Sequence, residues 1–380
     1  MGWQSPSATA TPPERRRRSL DLMRIAVLGV GLIGGSIGLA ARRRAGATVT
    51  GYDRDGEVRS RALELGAVDS AADGIAEAVS DADVVFVATP LSAIALTVQE
   101  ALEHAGPGCV VSDVGSTKRP LAAAGADERF IGGHPLAGAE TAGVEHARED
   151  LFDRATWYLT PARGSTAGVL YERLHRLLGT LGARPTAIDP VTHDRLMACV
   201  SHLPHVLANA LVEQASALTS LEGTQRLPAV GPSFRDATRV AGANTRIWTD
   251  IYLSNRDALV EGIDGLLERL QEVRSWLAEG DGAALGEWNE RARGARGELL
   301  GAGLVGGPVQ ELRASVPNRP GVIAEIALAL GRDGVNIADM ALSPSEDNSQ
   351  GVIALWVRGD DQAGRAQELI NGLGFPVARA

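Results

Sequence analysis

The chain has 380 residues, of which 44% are hydrophobic and 22% charged, values typical of a globular protein with two or three domains. Its formal net charge of -10 leaves no basic face that could neutralise phosphates, which argues against polynucleotide binding. The only two cysteines, Cys109 and Cys199, lie far apart in apolar runs, so we expect free thiols, a reducing compartment and a cytoplasmic protein.

The N-terminal region has an arginine cluster, Arg15 to Arg18, followed by an apolar run, Ile25 to Ala41, in the order of a twin-arginine export signal. Glycines within that run would weaken a membrane-spanning helix but suit a nucleotide-binding turn, and no other stretch approaches a transmembrane length. We therefore predict no membrane association. Residues 1–22, rich in Ser, Thr and Pro, are predicted to form a disordered tail.

Short β-branched runs alternate with helical segments from residue 23 to residue 189, which predicts an α/β Rossmann-type domain with a parallel, doubly wound sheet. The predicted strands are Arg24 to Leu28, Thr48 to Tyr52, Val84 to Ala88, Cys109 to Ser112, Phe130 to Gly132 and Trp157 to Thr160. Residues 190–302 lack strand patterns and predict an all-helical domain. An apolar stripe at helical spacing contains Ile263, Leu266, Leu267, Leu270, Val273 and Leu277.

A glycine-rich turn follows the first predicted strand. Gly29, Gly31 and Gly34 form G-x-G-x-x-G between a strand and a helix, the context in which this motif binds a dinucleotide. Gly29 would permit the tight turn, Gly31 the approach of the pyrophosphate, and Gly34 the close packing of helix on strand. Four neighbours complete the predicted cofactor site: Leu32, Ile33, Thr89 and Pro90.

Asp53 closes the second predicted strand, where an acidic residue can accept hydrogen bonds from ribose hydroxyls and repel a 2′-phosphate. The predicted cofactor is therefore NAD. The neighbouring Arg54 could pair with a 2′-phosphate if Asp53 rotated away, so NADP stays open.

Two further loops follow predicted strands at the ligand-facing edge of such a sheet. One contains Ser116 within Gly-Ser-Thr-Lys, and the other contains His134 between two glycines and a proline. His134 is predicted to be exposed and rigidly held, so it is a candidate base for a substrate hydroxyl during hydride removal. The alternative is a structural histidine in a loop.

Taken together, the motifs from Arg24 to about Leu300 resemble those of prephenate dehydrogenases. Besides the glycine-rich turn, the matching segments are Gly-Ser-Thr-Lys, Gly-Gly-His-Pro-Leu-Ala-Gly, His-Asp-Arg at 193–195, Ser-His-Leu-Pro-His at 201–205, Phe-Arg-Asp-Ala-Thr-Arg at 234–239, and Trp248 with Asp250. The resemblance implies NAD-dependent oxidative decarboxylation of prephenate to 4-hydroxyphenylpyruvate, on the route to tyrosine. Arogenate, the amino analogue of prephenate, is the alternative substrate.

The resemblance also implies roles for individual residues. His134 would contact the ring hydroxyl with Ser116 hydrogen-bonding nearby, and Arg239 would hold a substrate carboxylate. The remaining predicted substrate residues are Ser201, His205, Trp248 and Glu140, the last of which could gate the entrance or pair with Arg246.

The spacing of His193, His202 and His205 invites a metal site, but no additional carboxylate or thiolate is suitably spaced, so no metal is predicted. A β-hydroxyacid dehydrogenase is disfavoured because it needs a helix-borne catalytic lysine, and no Lys lies between Asp189 and Glu222. A non-enzymatic redox sensor is disfavoured by the intact candidate active-site residues.

Residues 309–380 follow a small-residue linker and show a strand-helix-strand-strand-helix-strand pattern that resembles an ACT domain, an amino-acid-sensing module. Asn318, Pro320 and Gly321 open a helix whose free amides could receive a carboxylate, and Asn336 could meet an α-amino group. We expect tyrosine, or less readily phenylalanine, as the effector. The alternative is a dimerisation module without a ligand. In this family the helical domains interlock, so a homodimer is also expected.

Overall fold

A computed structural model describes residues 23–122, 124–138, 141–161, 167–221, 230–301, 309–317, 319, 321–344 and 350–379. The predicted tail at residues 1–22 lies outside these described residues, and so do Glu140, Asn318 and Pro320. Both cysteines are free, as predicted, with Cys109 buried and Cys199 exposed.

The first domain is built on a five-stranded parallel sheet in the order β3-β2-β1-β4-β5. Its strands are β1 (Arg24–Leu28), β2 (Thr48–Tyr52), β3 (Ser70–Ala71), β4 (Val84–Val87) and β5 (Val110–Asp113). The helices between them are α1 (Leu32–Ala45), α2 (Gly56–Glu64), α3 (Ile75–Val79) and α4 (Leu91–His104). The strand order reverses between β1 and β4, and ligands of such sheets bind beyond the carboxyl ends of the strands at this reversal.

A separate three-stranded sheet in the order β6-β7-β8 follows, with a helix between its last two strands. The elements are β6 (Gly132–Pro135), β7 (Thr156–Thr160), α5 (Ala167–Thr180) and β8 (Arg184–Ala187). The expectation of a parallel arrangement throughout is wrong here, because β6 runs antiparallel to β7. The described residues between them form a 3-10 turn (Val144–His146) and no crossover helix, which a parallel pair would require. The strand predicted at Phe130 is a single bridge to Val111.

Within its described parts, residues 190–221 and 230–301, the predicted all-helical region forms six α-helices, with a π-helical turn (Ala198–His202) after the first and a 3-10 turn (Arg239–Gly242) after the third. The helices are α6 (Pro190–Met197), α7 (Leu203–Leu221), α8 (Pro232–Thr238), α9 (Thr245–Ser254), α10 (Arg256–Glu279) and α11 (Gly282–Gly301). Pro204 directly follows the π-helical turn, inside a helical run that is continuous from Pro190 to Ala217, and its missing N–H leaves that turn without one backbone hydrogen bond.

One described helical run, Pro190–Ala217, has the length and apolar composition of a membrane span. The expectation that no stretch beyond the N-terminal run reaches such a length is therefore wrong. The run carries little weight as a span, because core helices of water-soluble proteins pass the same test.

The apolar stripe predicted on the long helix lies on α10. Leu267, Leu270 and Leu277 are 58%, 50% and 64% exposed, so one chain leaves much of this stripe uncovered.

The C-terminal domain is an antiparallel sheet in the order β10-β11-β9-β12 with two helices. Its elements are β9 (Val309–Pro317), α12 (Val322–Arg332), β10 (Ile337–Pro344), β11 (Gln350–Arg358), α13 (Asp360–Gly372) and β12 (Val377–Arg379), which is the predicted order. Helix α12 packs against α5 and β8 of the first domain. One hydrophobic cluster contains Val27 and Phe86 of the first domain together with Ile326 and Leu355 of the C-terminal domain.

Candidate functional site

The turn between β1 and α1 has the geometry that its glycines were predicted to provide. Gly29 has a φ of 94°, and a Cβ there would lie 2.6 Å from the carbonyl oxygen of Ala88. A Cβ on Gly34 would lie 1.9 Å from the carbonyl oxygen of Gly29, so α1 can approach the turn only with a glycine at this position. The space beside Gly31 is open to 4 Å, which leaves room for a diphosphate at the start of α1.

Asp53 lies just beyond β2, beside the same turn. Its carboxylate accepts hydrogen bonds from the backbone N–H of Val30 at 3.2 Å and of Asp55 at 3.1 Å. Beyond β4, the buried hydroxyl of Thr89 has no hydrogen-bond partner among the described residues. These three groups lie where the strand order reverses, and together they fit a dinucleotide: the open glycine turn, the neighbouring carboxylate and the unsatisfied hydroxyl.

His134 lies on β6 and contacts a second histidine. Its Nδ1 is 2.9 Å from Nε2 of His193, and Nδ1 of His193 is 2.8 Å from a carboxylate oxygen of Asp194. Because the carboxylate accepts, Nδ1 of His193 carries a proton and its Nε2 accepts from Nδ1–H of His134. This arrangement leaves the lone pair of His134 on Nε2. His134 is half-buried, so the prediction that it is exposed is wrong.

Burial, together with the charge of Lys118, keeps the two histidines neutral. The pKa of His134 lies well below its ordinary value because of burial, with further lowering from His193, Lys118 and His202. Burial likewise lowers the pKa of His193, although Asp194 opposes this effect. Near pH 7 the imidazole of His134 is therefore available to accept a proton.

A buried carboxylate joins the two candidate catalytic loops. Asp113, at the end of β5, accepts from the backbone N–H of Gly115 at 2.8 Å and of Gly133 at 3.0 Å. It also accepts from Nζ of the buried Lys118, which donates to the carbonyl of Gly133 at 2.6 Å. The backbones beside Ser116 and His134 are thus held by the same pair of charges. Burial lowers the pKa of Lys118, and Asp113 opposes this.

Asp194 connects the first domain to the helical domain. Its carboxylate accepts from the backbone N–H of Lys118 at 2.7 Å and of Arg119 at 2.9 Å, while its carbonyl accepts from Nδ2 of Asn255 at 2.7 Å. Burial would raise the pKa of Asp194, but hydrogen bonds from His193 and these backbone groups leave it below its ordinary value. Asp194 therefore stays ionised and orients His193.

Aromatic rings line the adjacent part of the helical domain. His205 on α7 stacks on Trp248 of α9, with ring centroids 3.6 Å apart and planes inclined by 7°, and its Nδ1 contacts the hydroxyl of Tyr252. His202 lies between this group and the histidine pair, with its ring centroid 6.2 Å from that of Trp248 and its Nδ1 3.2 Å from Nδ2 of Asn255. The structure thus brings His205 and Trp248 together.

The other predicted substrate residues lie on neighbouring elements. Ser201 is exposed in the π-helical turn, and the exposed Arg239 begins the 3-10 turn that packs against α7. Ser116 is half-buried in the loop after β5. Of the predicted regulatory residues that are described, Gly321 precedes α12, and Oδ1 of Asn336 accepts from the hydroxyl of Thr186 at 2.9 Å.

The sequence interpretation gave no role to Asp113, Lys118 or Asp194, although Lys118 and Asp194 stand in segments that matched the family pattern and Asp113 lies two residues before one. Two signals in the sequence could have identified Asp113 and Lys118 as functional residues. Asp113 is a charged residue at the end of a buried strand, and Lys118 is a lysine next to a candidate catalytic loop. Asp194 contacts residues about 76 positions away, so its role required the fold.

Comparison with known proteins accounts for this combination of domains. Family models match residues 37–186 (Prephenate dehydrogenase, nucleotide-binding domain), 189–290 (Prephenate dehydrogenase, dimerization domain) and 311–369 (ACT domain). A prephenate dehydrogenase from Bacillus subtilis (strain 168) is 32% identical over 356 residues, covering 91% of this chain and 95% of that protein. The chain belongs to the prephenate dehydrogenase family.

Two solved structures resemble this prephenate dehydrogenase family member, each with a TM-score of 0.65. One is arogenate dehydrogenase from Synechocystis, 29% identical, with 73% of this chain and 100% of that chain covered. The other is prephenate dehydrogenase from A. aeolicus in complex with hydroxyphenyl propionate and NAD+, 26% identical, with 74% and 100% covered. The predicted fold class and domain order are confirmed.

Proposed function

We propose that the protein catalyses the NAD-dependent oxidative decarboxylation of prephenate to 4-hydroxyphenylpyruvate. The observation that carries this proposal is the chain of hydrogen bonds from His134 through His193 to Asp194, which leaves Nε2 of His134 as a proton acceptor. Membership of the family supports the reaction class.

His134 is proposed to accept the proton of the ring hydroxyl at its Nε2. NAD supplies the hydride acceptor. The ring carboxylate leaves as carbon dioxide, its bonding electrons complete the aromatic ring, and the phenol oxygen regains a proton. The charge that develops on His134 is shared with His193 and stabilised by Asp194, which is buried and ionised.

Substrate orientation is proposed to come from the helical domain. Arg239 is assigned to a substrate carboxylate, with Ser201, His205 and Trp248 around the ring and side chain. Support comes from the stacked rings of His205 and Trp248 next to His202, which place a flat, half-buried surface near the histidine pair.

The cofactor site is proposed to prefer NAD over NADP. Asp53 is held beside the β1–α1 turn by two backbone N–H groups, and Arg54 is exposed. Leu32, Ile33 and Pro90 flank the turn and the end of β4.

The test is steady-state formation of the reduced cofactor from prephenate and arogenate with NAD and NADP in all four combinations. We expect turnover with prephenate and NAD, and at least about tenfold weaker kcat/KM with NADP because Asp53 repels a 2′-phosphate. If the protein turned over arogenate but not prephenate, arogenate would be its substrate. If it turned over neither compound, the proposal would be refuted.

We further propose that the protein is a cytoplasmic homodimer whose helical domains pair. The exposed apolar stripe on α10 supports this, as does the match of residues 189–290 to a dimerization domain.

The C-terminal domain is proposed to bind tyrosine as an inhibitor, at Gly321 and Asn336 together with Asn318 and Pro320. Support comes from its match to an ACT domain and from the αL conformation of Gly321, which directs the chain into the start of α12.

A further inference from the structure

The contact between the C-terminal domain and the first domain is unusually close at one glycine. Gly331, in the last turn of α12, lies against the carbonyl of Ala187 in β8, and a Cβ at Gly331 would be 1.5 Å from that oxygen. Any side chain there would force α12 away from β8. The helix and the strand therefore have a single close register, and Gly331 is what permits it.

Polar contacts surround this glycine on both sides. The hydroxyl of Thr186 donates to Oδ1 of Asn336 at 2.9 Å, and Nε of Arg332 lies 3.6 Å from a carboxylate oxygen of Asp189. Arg332 is about half exposed, so the ion pair contributes at most about 1 kcal/mol by itself. Steric contact at Gly331 and these two polar contacts together form what we call the junction.

The junction meets the first domain where the chain enters α6. Asp189 is the N-cap of α6, with its side chain accepting from the backbone N–H of Thr192 at 3.0 Å. Its carbonyl accepts from the backbone N–H of His193 at 2.9 Å. His193 is the residue whose Nε2 receives the hydrogen bond of His134. Two residues, Asp189 and His193, therefore connect the C-terminal domain to the proposed base.

We propose that the C-terminal domain positions His134 through this junction, with Gly331, Arg332 and Asp189 as positioning residues. This inference rests on the proposed function of His134. A shift of α12 relative to β8 displaces the N-cap of α6, rotates His193 and weakens its bond to Nδ1 of His134. An amino-acid effector whose α-amino group donates to Oδ1 of Asn336 brings a charged second donor to the oxygen that accepts from Thr186, and thereby changes the junction.

The first test compares two glycine-to-alanine substitutions in the full-length protein. Gly331→Ala inserts a methyl group between α12 and β8, whereas Gly364→Ala, in α13 of the same domain, meets only the end of the Arg379 side chain at 3.2 Å. Both substitutions favour helix formation, so helix propensity is matched. Hydrogen–deuterium exchange over residues 190–202 and steady-state kinetics are measured for both.

For Gly331→Ala we expect faster exchange in α6 and a kcat about 3- to 10-fold lower, because small misplacements of catalytic groups reduce turnover strongly. The KM for NAD should stay within about twofold of wild type, since the glycine-rich turn is unaffected. Gly364→Ala should match wild type in all three measurements. Equal α6 exchange and equal kcat in the two variants would overturn the inference.

A second test keeps the interface intact and removes only the charge at the N-cap. Asp189→Asn can still cap α6, because asparagine is as good an N-cap as aspartate, but it loses its attraction to Arg332. We expect about a twofold fall in kcat for Asp189→Asn, for Arg332→Ala and for the double variant alike, with Arg332→Lys close to wild type. Additive effects in the double variant would contradict the inference.

These tests separate the two proposals. Wild-type protein without prephenate-dependent NADH formation would refute the proposed function, whereas the exchange comparison would still decide whether the junction holds α6. If Gly331→Ala lost its folded circular dichroism spectrum, the Asp189 and Arg332 variants would decide, with unchanged α6 exchange in both counting against the junction.

Discussion

At the residue scale, His134 is the proposed base, and replacing it separates chemistry from binding. We predict that His134→Asn lowers kcat by roughly two to four orders of magnitude, the usual range for loss of a positioned base. NAD affinity should be unchanged because the glycine-rich turn is intact, and fluorescence titration with NADH checks this. Near-wild-type turnover at neutral pH would show that another group accepts the proton.

The pH dependence of turnover follows from the same histidine. Its neutral form is the active one, and burial with nearby positive charge holds its pKa well below the ordinary value of 6.5. Protonation therefore begins only below that value as the pH falls. We predict a kcat that is flat from pH 8 to below pH 6.5 and declines only in more acidic solution. A midpoint of the acid limb at or above pH 6.5 would contradict the assigned environment.

Individual residues were predictable where chemistry is carried by a local motif. His134 and Asp53 stand at the ends of strands in recognisable segments, so their positions followed from local pattern alone. The orientation of His134 did not, since it depends on His193 and Asp194, which are about 59 residues away or more and belong to another domain. Hydrogen-bond geometry across such distances has no local signature in a sequence.

At the scale of elements, the β1–α1 turn offers a contrast between two of its glycines. We predict that Gly34→Ala lowers the melting temperature, because a methyl group would overlap the carbonyl of Gly29. Gly31→Ala should fold normally, because the space beside it is open, but should bind NAD about tenfold or more weakly where the methyl group meets the diphosphate. Thermal denaturation and NADH titration of both variants check this contrast, and unchanged NAD affinity in Gly31→Ala would place the diphosphate elsewhere.

Strands β1 and β2 have the predicted bounds because β1 is a buried apolar run, β2 is a β-branched run with alternate residues buried, and turn residues follow both. The extent of β6 also differs from that of the predicted strand, Phe130 to Gly132, and this difference has a physical source. Gly132 and Gly133 have almost no intrinsic strand propensity, and the strand forms because Asp113 and Lys118 bind its backbone. Tertiary contacts, rather than local strand propensity, therefore determine where β6 forms.

At the scale of the whole molecule, the stripe on α10 is predicted to be a dimer interface. Replacing Leu270 with glutamate places a charge in the stripe and should shift the protein from dimer to monomer in sedimentation velocity, because burying an unpaired charge is costly. The matched control is Leu63→Glu on α2, where the leucine is also exposed, at 40%, and should leave the dimer intact. A wild-type protein that is monomeric at all concentrations would refute the interface.

Regulation by tyrosine is also tested on the whole molecule. We predict that tyrosine inhibits the full-length enzyme and that deletion of residues 309–380 abolishes or weakens this inhibition while turnover persists. The deletion uncovers apolar surface on α5 and β8, so lower stability is expected and activity must be measured at low temperature. Unchanged inhibition in the truncated enzyme would assign tyrosine to the active site as a product analogue.

The domain boundaries at residues 189/190 and 302/309 are predictions from the sequence. The packing of α12 on β8 shows how the C-terminal domain is attached to the first domain. The chain leaves the first domain directly after β8, passes through the helical region, and comes back to the same strand. The packing of α12 on β8 thus brings the chain back to the strand from which it entered the helical region. A cut between the helical region and the C-terminal domain should therefore leave the C-terminal domain bound to the first domain, through a surface about 120 residues earlier in the chain.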